Sequence, residues 1–288
     1  MPTAILFPGQ GSQTEDMREH VAAVRPDLLE LVARAVGEDP FARAGEATRF
    51  AQPAIFCASL AGFGRLEVSE PAVHAGHSLG ELTAFVAAGA ISELDGLALV
   101  VRRAELMDAA DEGTMIAALG GERDTVIEVA ARHGLALAND NAPGQIVLSG
   151  AVPAAGAAAV DLREAGVRVL ELAVAGAFHS PLMAPAVAPF ADALAATEVR
   201  TPRVPVWSCV TAAPVEDPAE IRRVLAEGLT APVRWRETVE GLLGEGIDTF
   251  TETGPGTVLT KLVKRCRSGS HTCLQRTQVP DPELRVHA

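Results

Sequence analysis

The sequence is short of positive charge: 24 Lys and Arg residues stand against 37 Asp and Glu residues, which gives a formal net charge of −13. Proteins that bind nucleic acid or anionic membrane surfaces in general carry the opposite balance. The composition therefore excludes both as general partners, although a local basic patch is compatible with it.

The sequence also lacks a long apolar run. Residues 1–7 contain no basic stretch followed by a long apolar core, so they do not resemble a secretory signal. Gly, Pro or charged residues interrupt the alanine-rich stretches before they reach the roughly 20 residues that a membrane span needs. We therefore expect a cytoplasmic protein that does not associate with membranes.

Cysteine is scarce and scattered. The four cysteines are Cys57, Cys209, Cys266 and Cys273, of which only the last two lie near each other in the sequence. No ligand spacing around them is typical of a zinc site. We expect free thiols and no bound metal.

Hydrophobic residues, in contrast, are plentiful. They make up 48% of the 288 residues, which is enough to bury a large core and excludes wholesale disorder. A chain of this length is compatible with one large domain or with one domain that carries a smaller insertion.

The first part of the chain alternates short strands with helices. The pattern predicts strands at 3–7 and 73–76 and helices at 21–36, 53–64, 79–88 and 93–110. Gly89 is a plausible C-cap of the helix 79–88, and Ser92 with Asp95 forms a capping box for the helix 93–110. Short strands return near the end of the chain, at 204–208 and 249–252. This alternation favours a parallel α/β domain.

The middle of the chain, residues 114–176, has a different rhythm. Its pattern reads strand, helix, strand, strand, helix, strand, which is the order of the ferredoxin-like unit. We therefore predict a large α/β subdomain formed by residues 1–113 and 177–288, with a ferredoxin-like subdomain inserted at 114–176. The last dozen residues, with two prolines, are predicted to be a loose tail.

A candidate nucleophile lies between the predicted strand 73–76 and the following helix. Gly76-His77-Ser78-Leu79-Gly80 fits the G-x-S-x-G nucleophile elbow, in which the flanking positions must lack side chains so that strand and helix can pass closely. The serine hydroxyl then stands at a helix N-terminus, where N–H groups and the helix dipole stabilise an oxyanion. The alternative is a glycine-flanked serine that only caps the helix.

A serine nucleophile needs a general base, and seven histidines are available. We favour His179, because the chain returns there from the small subdomain to the large one and such junctions border clefts. Five of the other six are adjacent to the serine, on helices or in a polar C-terminal region: His77, His20, His133, His271 and His287. No acidic residue is a convincing partner for the base, so we expect a main-chain carbonyl to orient it. A purely structural role for His179 stays open on this evidence.

Arg103 is the third candidate. The residues three and four positions away on its helix are all apolar, so it has no counter-ion on its own helix face, whereas Arg102 has Glu105. A buried guanidinium without a partner is costly, so a distant acid or a ligand anion should meet it. The alternative is an arginine whose long side chain reaches the surface.

These segments together resemble the malonyl-CoA:acyl carrier protein transacylases and the related acyltransferase domains of polyketide synthases. The resemblance covers residues 7 to about 265 and includes five segments: 7–13 (FPGQGSQ), 52–54 (QPA), 76–81 (GHSLGE), 139–145 (NDNAPGQ) and 254–256 (GPG). It implies an α/β-hydrolase-like fold for the large subdomain.

The resemblance also implies the role of each site residue. Ser78 would carry the acyl group and His179 would be the base. The main-chain N–H groups of Gln10 and Leu79 would form the oxyanion hole, and Arg103 would bind the free carboxylate of malonyl.

Three further positions follow from the same resemblance. Asn141 would contact the substrate, and the bulky Phe178 matches members that select malonyl over α-methyl-substituted units. Gly228 stands where the family usually has a glutamine whose main-chain carbonyl orients the base.

The implied function is ping-pong transfer of a malonyl group from malonyl-CoA to the phosphopantetheine thiol of an acyl carrier protein, with no cofactor and by a monomer. Carrier proteins are generally acidic, and a basic cluster is a candidate docking surface: Lys261, Lys264, Arg265 and Arg267. The alternatives are a polyketide-pathway acyltransferase with another extender or carrier, a serine hydrolase or thioesterase acting on acyl carriers, and a catalytically silent carrier-binding scaffold.

Overall fold

A computed structural model describes residues 2–66, 71–110, 112–174 and 176–270. The strands are β1 (Thr3–Phe7), β2 (Val73–Gly76), β3 (Thr114–Leu119), β4 (Ala136–Ala142), β5 (Gln145–Gly150), β6 (Arg168–Glu171), β7 (Val206–Ser208), β8 (Ala213–Val215) and β9 (Thr249–Glu252). The helices are α1 (Met17–Val24), α2 (Pro26–Val36), α3 (Thr48–Phe63), α4 (Leu79–Ala87), α5 (Glu93–Ala109), α6 (Arg123–Arg132), α7 (Val152–Glu164), α8 (Ala184–Ala195), α9 (Pro218–Glu227), α10 (Trp235–Gly244) and α11 (Val258–Ser270). None of these helices is long and apolar enough to cross a membrane.

The larger sheet has five strands in the order β8-β7-β2-β1-β9. Strands β7, β2, β1 and β9 are parallel, because helical crossovers connect them, whereas β8 returns antiparallel beside β7. Residues 4–7 of the interior strand β1 are fully buried, as expected of a parallel strand covered by helices on both faces. The predicted parallel α/β architecture is confirmed, and the antiparallel edge strand β8 is an addition to it.

The smaller sheet has four strands in the order β4-β5-β3-β6, and all its neighbours are antiparallel. Helices α6 and α7 pack on it around a separate apolar core. This arrangement confirms the predicted ferredoxin-like order of elements. The exact division of the chain at residues 114 and 176 stays a prediction.

Two helices differ from the sequence prediction. The predicted helix 21–36 is two helices, because Arg25 precedes Pro26 and takes a non-helical conformation with φ −137° and ψ 64°. The helix predicted to start at Pro53 starts at Thr48 instead and continues through the buried proline. The predicted loose tail lies outside the described residues.

Strand β4 links the small sheet to the segment that precedes α10. The N–H of Asp140 donates to the carbonyl of Val233 (2.9 Å), and the N–H of Val233 donates to the carbonyl of Ala138 (2.8 Å). The carboxylate of Asp140, buried in this contact, forms ion pairs with Arg236 of α10 (2.9 Å) and Arg123 of α6 (3.1 Å). The small subdomain is therefore tied to the large one beside its inner edge.

We expect Asp140→Ala to lower the free energy of unfolding by about 2–3 kcal/mol, because it leaves the partly buried Arg236 without its main partner. Urea denaturation of the variant and the native protein measures the difference. Arg223→Ala, which removes a cation from exposed ion pairs with Glu220 and Glu227, is the matched control and should change stability little. An equal loss of stability in both variants would contradict the proposed link.

Candidate active site

The nucleophile elbow has the geometry that its sequence predicts. Ser78 lies between β2 and α4 with φ 54° and ψ −109°, a strained conformation for a residue with a side chain. A Cβ atom on Gly76 would lie 2.0 Å from the backbone of Gly80, and one on Gly80 would lie 1.9 Å from the carbonyl oxygen of Phe7. Both glycines are therefore required for the strand and the helix to pass at this distance.

His179 is the base that reaches the serine. Its Nε2 lies 2.8 Å from Ser78 Oγ, although 101 positions separate the two residues in sequence. His77, in contrast, faces away from the hydroxyl and bonds to Asn141 Oδ1 at 2.8 Å. Among the described histidines, only His179 contacts Ser78.

The backbone carbonyls of Ala231 and Gly228 both interact with the imidazole of His179. His179 Nδ1 lies 3.1 Å from the carbonyl oxygen of Ala231. Gly228 has helical φ and ψ values of −58° and −12° at the end of α9. Hydrogen-bonded turns continue through residues 229–231, where the carbonyl of Ala231 faces the ring. The backbone of Gly228 makes a smaller interaction with His179 than that of Ala231. The carbonyl of Ala231 thus joins the predicted one of Gly228, and the orienting role of both stays a prediction.

Burial keeps His179 neutral. Burial and the positive charge of Arg103 together lower the pKa of His179 to about 3, although the carbonyl of Ala231 opposes the shift. With Nδ1–H donating to Ala231, the lone pair of Nε2 faces the Ser78 hydroxyl. The ring is therefore ready to accept the serine proton at neutral pH.

Arg103 is buried and contacts the nucleophile. Its guanidinium donates to Gln52 Oε1 at 2.8 Å and to Ser78 Oγ at 3.1 Å. No carboxylate of the described residues lies within ion-pair distance of it. Burial lowers its pKa to about 10, so the group remains charged at neutral pH. The sequence predicts either a distant acid or a ligand anion as the partner of Arg103. Among the described residues no acid contacts the guanidinium directly, so a ligand anion is the remaining candidate.

Gln52 is a site residue to which the sequence analysis assigned no role. Its Oε1 holds Arg103, and its Nε2 lies 3.3 Å from the sulfur of Met107. The signal was present in the segment 52–54, which was recognised as a family motif but placed on a helix without a function.

The cleft around these groups has a volume of about 320 Å³ and lies between the two sheets. Seven of the eight predicted site residues line it: Gln10, Ser78, Leu79, Arg103, Asn141, Phe178 and His179. Gly228 lines a smaller cavity that adjoins the nucleophile. Another cavity of similar size lies beside α1 and α3 and contains neither the serine nor its base.

Gln10 and Leu79, the residues of the predicted oxyanion hole, both line the cleft. Leu79 is the first residue of α4, where backbone N–H groups have no partner inside the helix. Gln10 itself is fixed by its side chain, whose Nε2 donates to Thr48 Oγ1 at 3.1 Å. This arrangement fits the predicted oxyanion hole, whose role stays a prediction.

Comparison with known proteins agrees with this chemistry. The family model described as acyl transferase domain matches residues 38–280. The chain is 37% identical to the malonyl CoA-acyl carrier protein transacylase of Bacillus subtilis, over 97% of this chain and 94% of that protein. It is 40% identical to the polyketide biosynthesis protein ThaF of Burkholderia thailandensis over 91% of this chain, although it spans only 24% of that longer protein.

Solved structures share the fold. An acyl carrier protein S-malonyltransferase from Vibrio cholerae superposes with a TM-score of 0.87 at 36% identity, covering 93% of this chain and 94% of that one. A malonyl-transacylase solved in complex with a type II polyketide synthase acyl-carrier protein gives 0.87 at 32% identity, covering 93% and 94%. From the extent of these matches and the serine–histidine pair in the cleft, the chain belongs to the acyl transferase domain family and is an acyltransferase.

Proposed function

We propose that this protein transfers a malonyl group from malonyl-CoA to the phosphopantetheine thiol of an acyl carrier protein, through an ester on Ser78. The observation that carries the proposal is the charged Arg103 guanidinium, which is buried, lies 3.1 Å from Ser78 Oγ and has no carboxylate of the described residues in direct contact with it. A group that is esterified at one end and ionised at the other satisfies both residues at once. The names of the B. subtilis and V. cholerae relatives agree with this substrate.

In the first half of the cycle, His179 Nε2 accepts the Ser78 proton while Oγ attacks the thioester carbonyl of malonyl-CoA. The oxyanion that forms is stabilised by the N–H groups of Leu79 and Gln10. The carbon–sulfur bond then breaks, and the CoA thiolate takes the proton from His179 and leaves as the thiol.

In the second half, the phosphopantetheine thiol gives its proton to His179 and attacks the malonyl ester. The ester bond to Oγ breaks, and His179 returns the proton to Ser78. Arg103 holds the free carboxylate in both halves, so the acyl group keeps one orientation. This cycle requires no metal and no redox cofactor.

Helix α11 is the proposed docking surface for the carrier protein. Lys261, Lys264 and Arg265 are exposed on it, and Arg265 donates to Gln145, which lines the cleft, at 2.8 Å. Arg267 belongs to the fold instead, since it bonds to the carbonyl of Asp248 and lies over a phenylalanine ring. The basic cluster is therefore smaller than the sequence suggested, and it lies at the mouth of the site.

We expect Lys264→Glu with Arg265→Glu to lower kcat/KM for the carrier protein about tenfold, because two charges that attract an acidic partner are reversed. Self-acylation from malonyl-CoA should change much less. Stopped-flow transfer and intact mass measure the two steps separately. An equal loss in both steps would reject docking at α11.

The proposed function is tested by intact mass of the protein after brief exposure to malonyl-, methylmalonyl- and acetyl-CoA. We expect a malonyl adduct, mapped to Ser78 by digestion and fragmentation, and at most weak labelling by the other two. Acetyl leaves Arg103 unpaired, and the ring of Phe178 at the cleft wall crowds an α-methyl group. Addition of a phosphopantetheinylated carrier should move the mass from the enzyme to the carrier.

The main rival activities give different products in the same experiment. A hydrolase would release free malonate without a carrier, and a silent scaffold would carry no adduct. A role in a polyketide pathway is the second candidate, favoured by the 40% identity to ThaF. Assay of carriers from both kinds of pathway separates it from fatty acid synthesis. We expect the enzyme to act as a monomer in the cytoplasm.

A further inference from the structure

A second, much smaller cavity adjoins the nucleophile and shares Ser78, Arg103 and His179 with the cleft. Its volume is about 10 Å³, close to the least that one water molecule needs. Four polar side chains reach it: Ser78, Glu81, Arg103 and His179. A cavity with this lining is expected to hold a water rather than to stay empty.

Glu81 is the acid at this cavity. The residue is only 2% exposed, and its Oε2 accepts a hydrogen bond from the thiol of Cys209 at 3.3 Å. Its other oxygen, Oε1, is buried without a hydrogen-bond partner. An unpartnered buried carboxyl oxygen is costly, so Oε1 is the group that a water in the cavity would satisfy.

The charges around Glu81 come from few groups. Burial raises the pKa of Glu81 to about 7, against hydrogen bonds from Ser208 and Cys209 and the positive charge of Arg103 on α5, all of which lower it. Burial raises the pKa of the Cys209 thiol well above its usual range, and His179 is neutral, so neither carries charge at neutral pH. Glu81 in turn raises the pKa of Arg103 against the effect of burial. Glu81 and Arg103 are thus the two groups of this cluster that can be charged together.

We propose that Glu81 is a proton-linked positioning residue for Arg103, acting through one water in this cavity. In the empty enzyme the Glu81 carboxylate balances the guanidinium. When the carboxylate of a bound acyl group pairs with Arg103, Glu81 takes a proton from solvent, and it returns that proton when the acyl group leaves. This inference rests on the proposed function, because it needs an acyl group with a free carboxylate.

The sign of the pH dependence follows. Two carboxylates compete for one guanidinium, so Glu81 must be protonated for the acyl carboxylate to bind well. At a pH below the pKa of Glu81, its carboxyl group is already protonated, so binding of the acyl group takes up no proton. Above it, each further pH unit lowers kcat/KM for malonyl-CoA up to tenfold. Acetyl-CoA has no carboxylate, so its kcat/KM should lack this decline.

The test begins with the native enzyme in weak buffer at pH 7 with an indicator dye. The released CoA thiol stays protonated at this pH, so acylation itself moves no proton. We expect uptake of roughly half a proton per malonyl-enzyme, since Glu81 begins about half ionised. Intact mass of the same sample counts the adduct.

Glu81→Gln is the decisive variant, because an amide keeps the shape and the hydrogen bonds of the protonated acid but cannot titrate. We expect the proton uptake to disappear and kcat/KM for malonyl-CoA to become flat between pH 7 and 8.5. His179 remains in this variant, so uptake that persists would belong to another group and would overturn the proposal.

The remaining outcomes are also decisive. A malonyl adduct that forms in the native enzyme without proton uptake refutes the role of Glu81 and leaves the proposed function intact. Absence of any malonyl adduct refutes the proposed function instead. If Glu81→Gln does not fold, the proton uptake of the native enzyme and the comparison of malonyl-CoA with acetyl-CoA decide the question alone.

Discussion

Replacing Ser78, His179 or both with alanine is expected to lower the rate of malonyl transfer by about the same factor, on the order of 10⁴–10⁶. The two side chains share one hydrogen bond of 2.8 Å and act in one proton transfer. Once either side chain is missing, the other can no longer take part in this proton transfer. The effects should therefore not add, while the affinity for malonyl-CoA, which depends on Arg103, should change little.

Single-turnover transfer to the carrier protein measures these rates, with intact mass to exclude an adduct on Ser78→Ala. His133→Ala is the matched control, since this histidine bonds to Asp161 on the small subdomain and takes no part in the cleft. Its rate should equal that of the native enzyme. Additive losses in the double variant would show that the serine and the histidine work in separate steps.

Replacing Arg103 with alanine is expected to remove selectivity. The kcat/KM for malonyl-CoA should fall roughly 10²–10³-fold, because the acyl carboxylate then enters a buried site without a cation. The kcat/KM for acetyl-CoA should fall far less, because acetyl has no carboxylate that pairs with the guanidinium. The kcat/KM of Arg103→Lys for malonyl-CoA should lie between those of the native enzyme and Arg103→Ala, since an ammonium cannot contact Gln52, Ser78 and a carboxylate at once.

Arg102→Ala is the neighbouring control. Arg102 is half exposed and pairs with Glu105 across one turn of α5, so its loss should affect neither substrate. Initial rates with malonyl-CoA and acetyl-CoA across all three variants give the comparison. Equal losses for both substrates in Arg103→Ala would mean that the guanidinium only holds Ser78 in place.

Much of the fold follows from local patterns. Strand β2, the glycines around Ser78 and helix α4 form one continuous signal, and Ser92 caps α5 through Asp95 as the sequence predicts. The order of elements in the small sheet was also readable. Helix boundaries were harder to predict: a proline ends one predicted helix at residue 25, yet another proline lies inside α3.

The residues of the site also divide into those that the sequence predicts and those that it does not. Ser78 and Arg103 could be predicted because the sequence next to each constrains it. The carbonyl of Ala231 could not be predicted, since any residue has a carbonyl and only the turn after α9 brings this one to the ring of His179. Gln52 and Glu81 were missed as functional groups because their partners, Arg103 and Cys209, lie 51 and 128 positions away in sequence.

The segment 229–233 has two neighbours at once. On one side its carbonyls at Leu229 and Ala231 bond to the main chain and the ring of His179, and on the other side Val233 pairs with β4. An exchange of the small sheet between homologues would therefore also change how the imidazole is aligned. Chimeric enzymes built to alter extender choice should transfer β4 and residues 229–233 as a single unit, because each half is folded against the other.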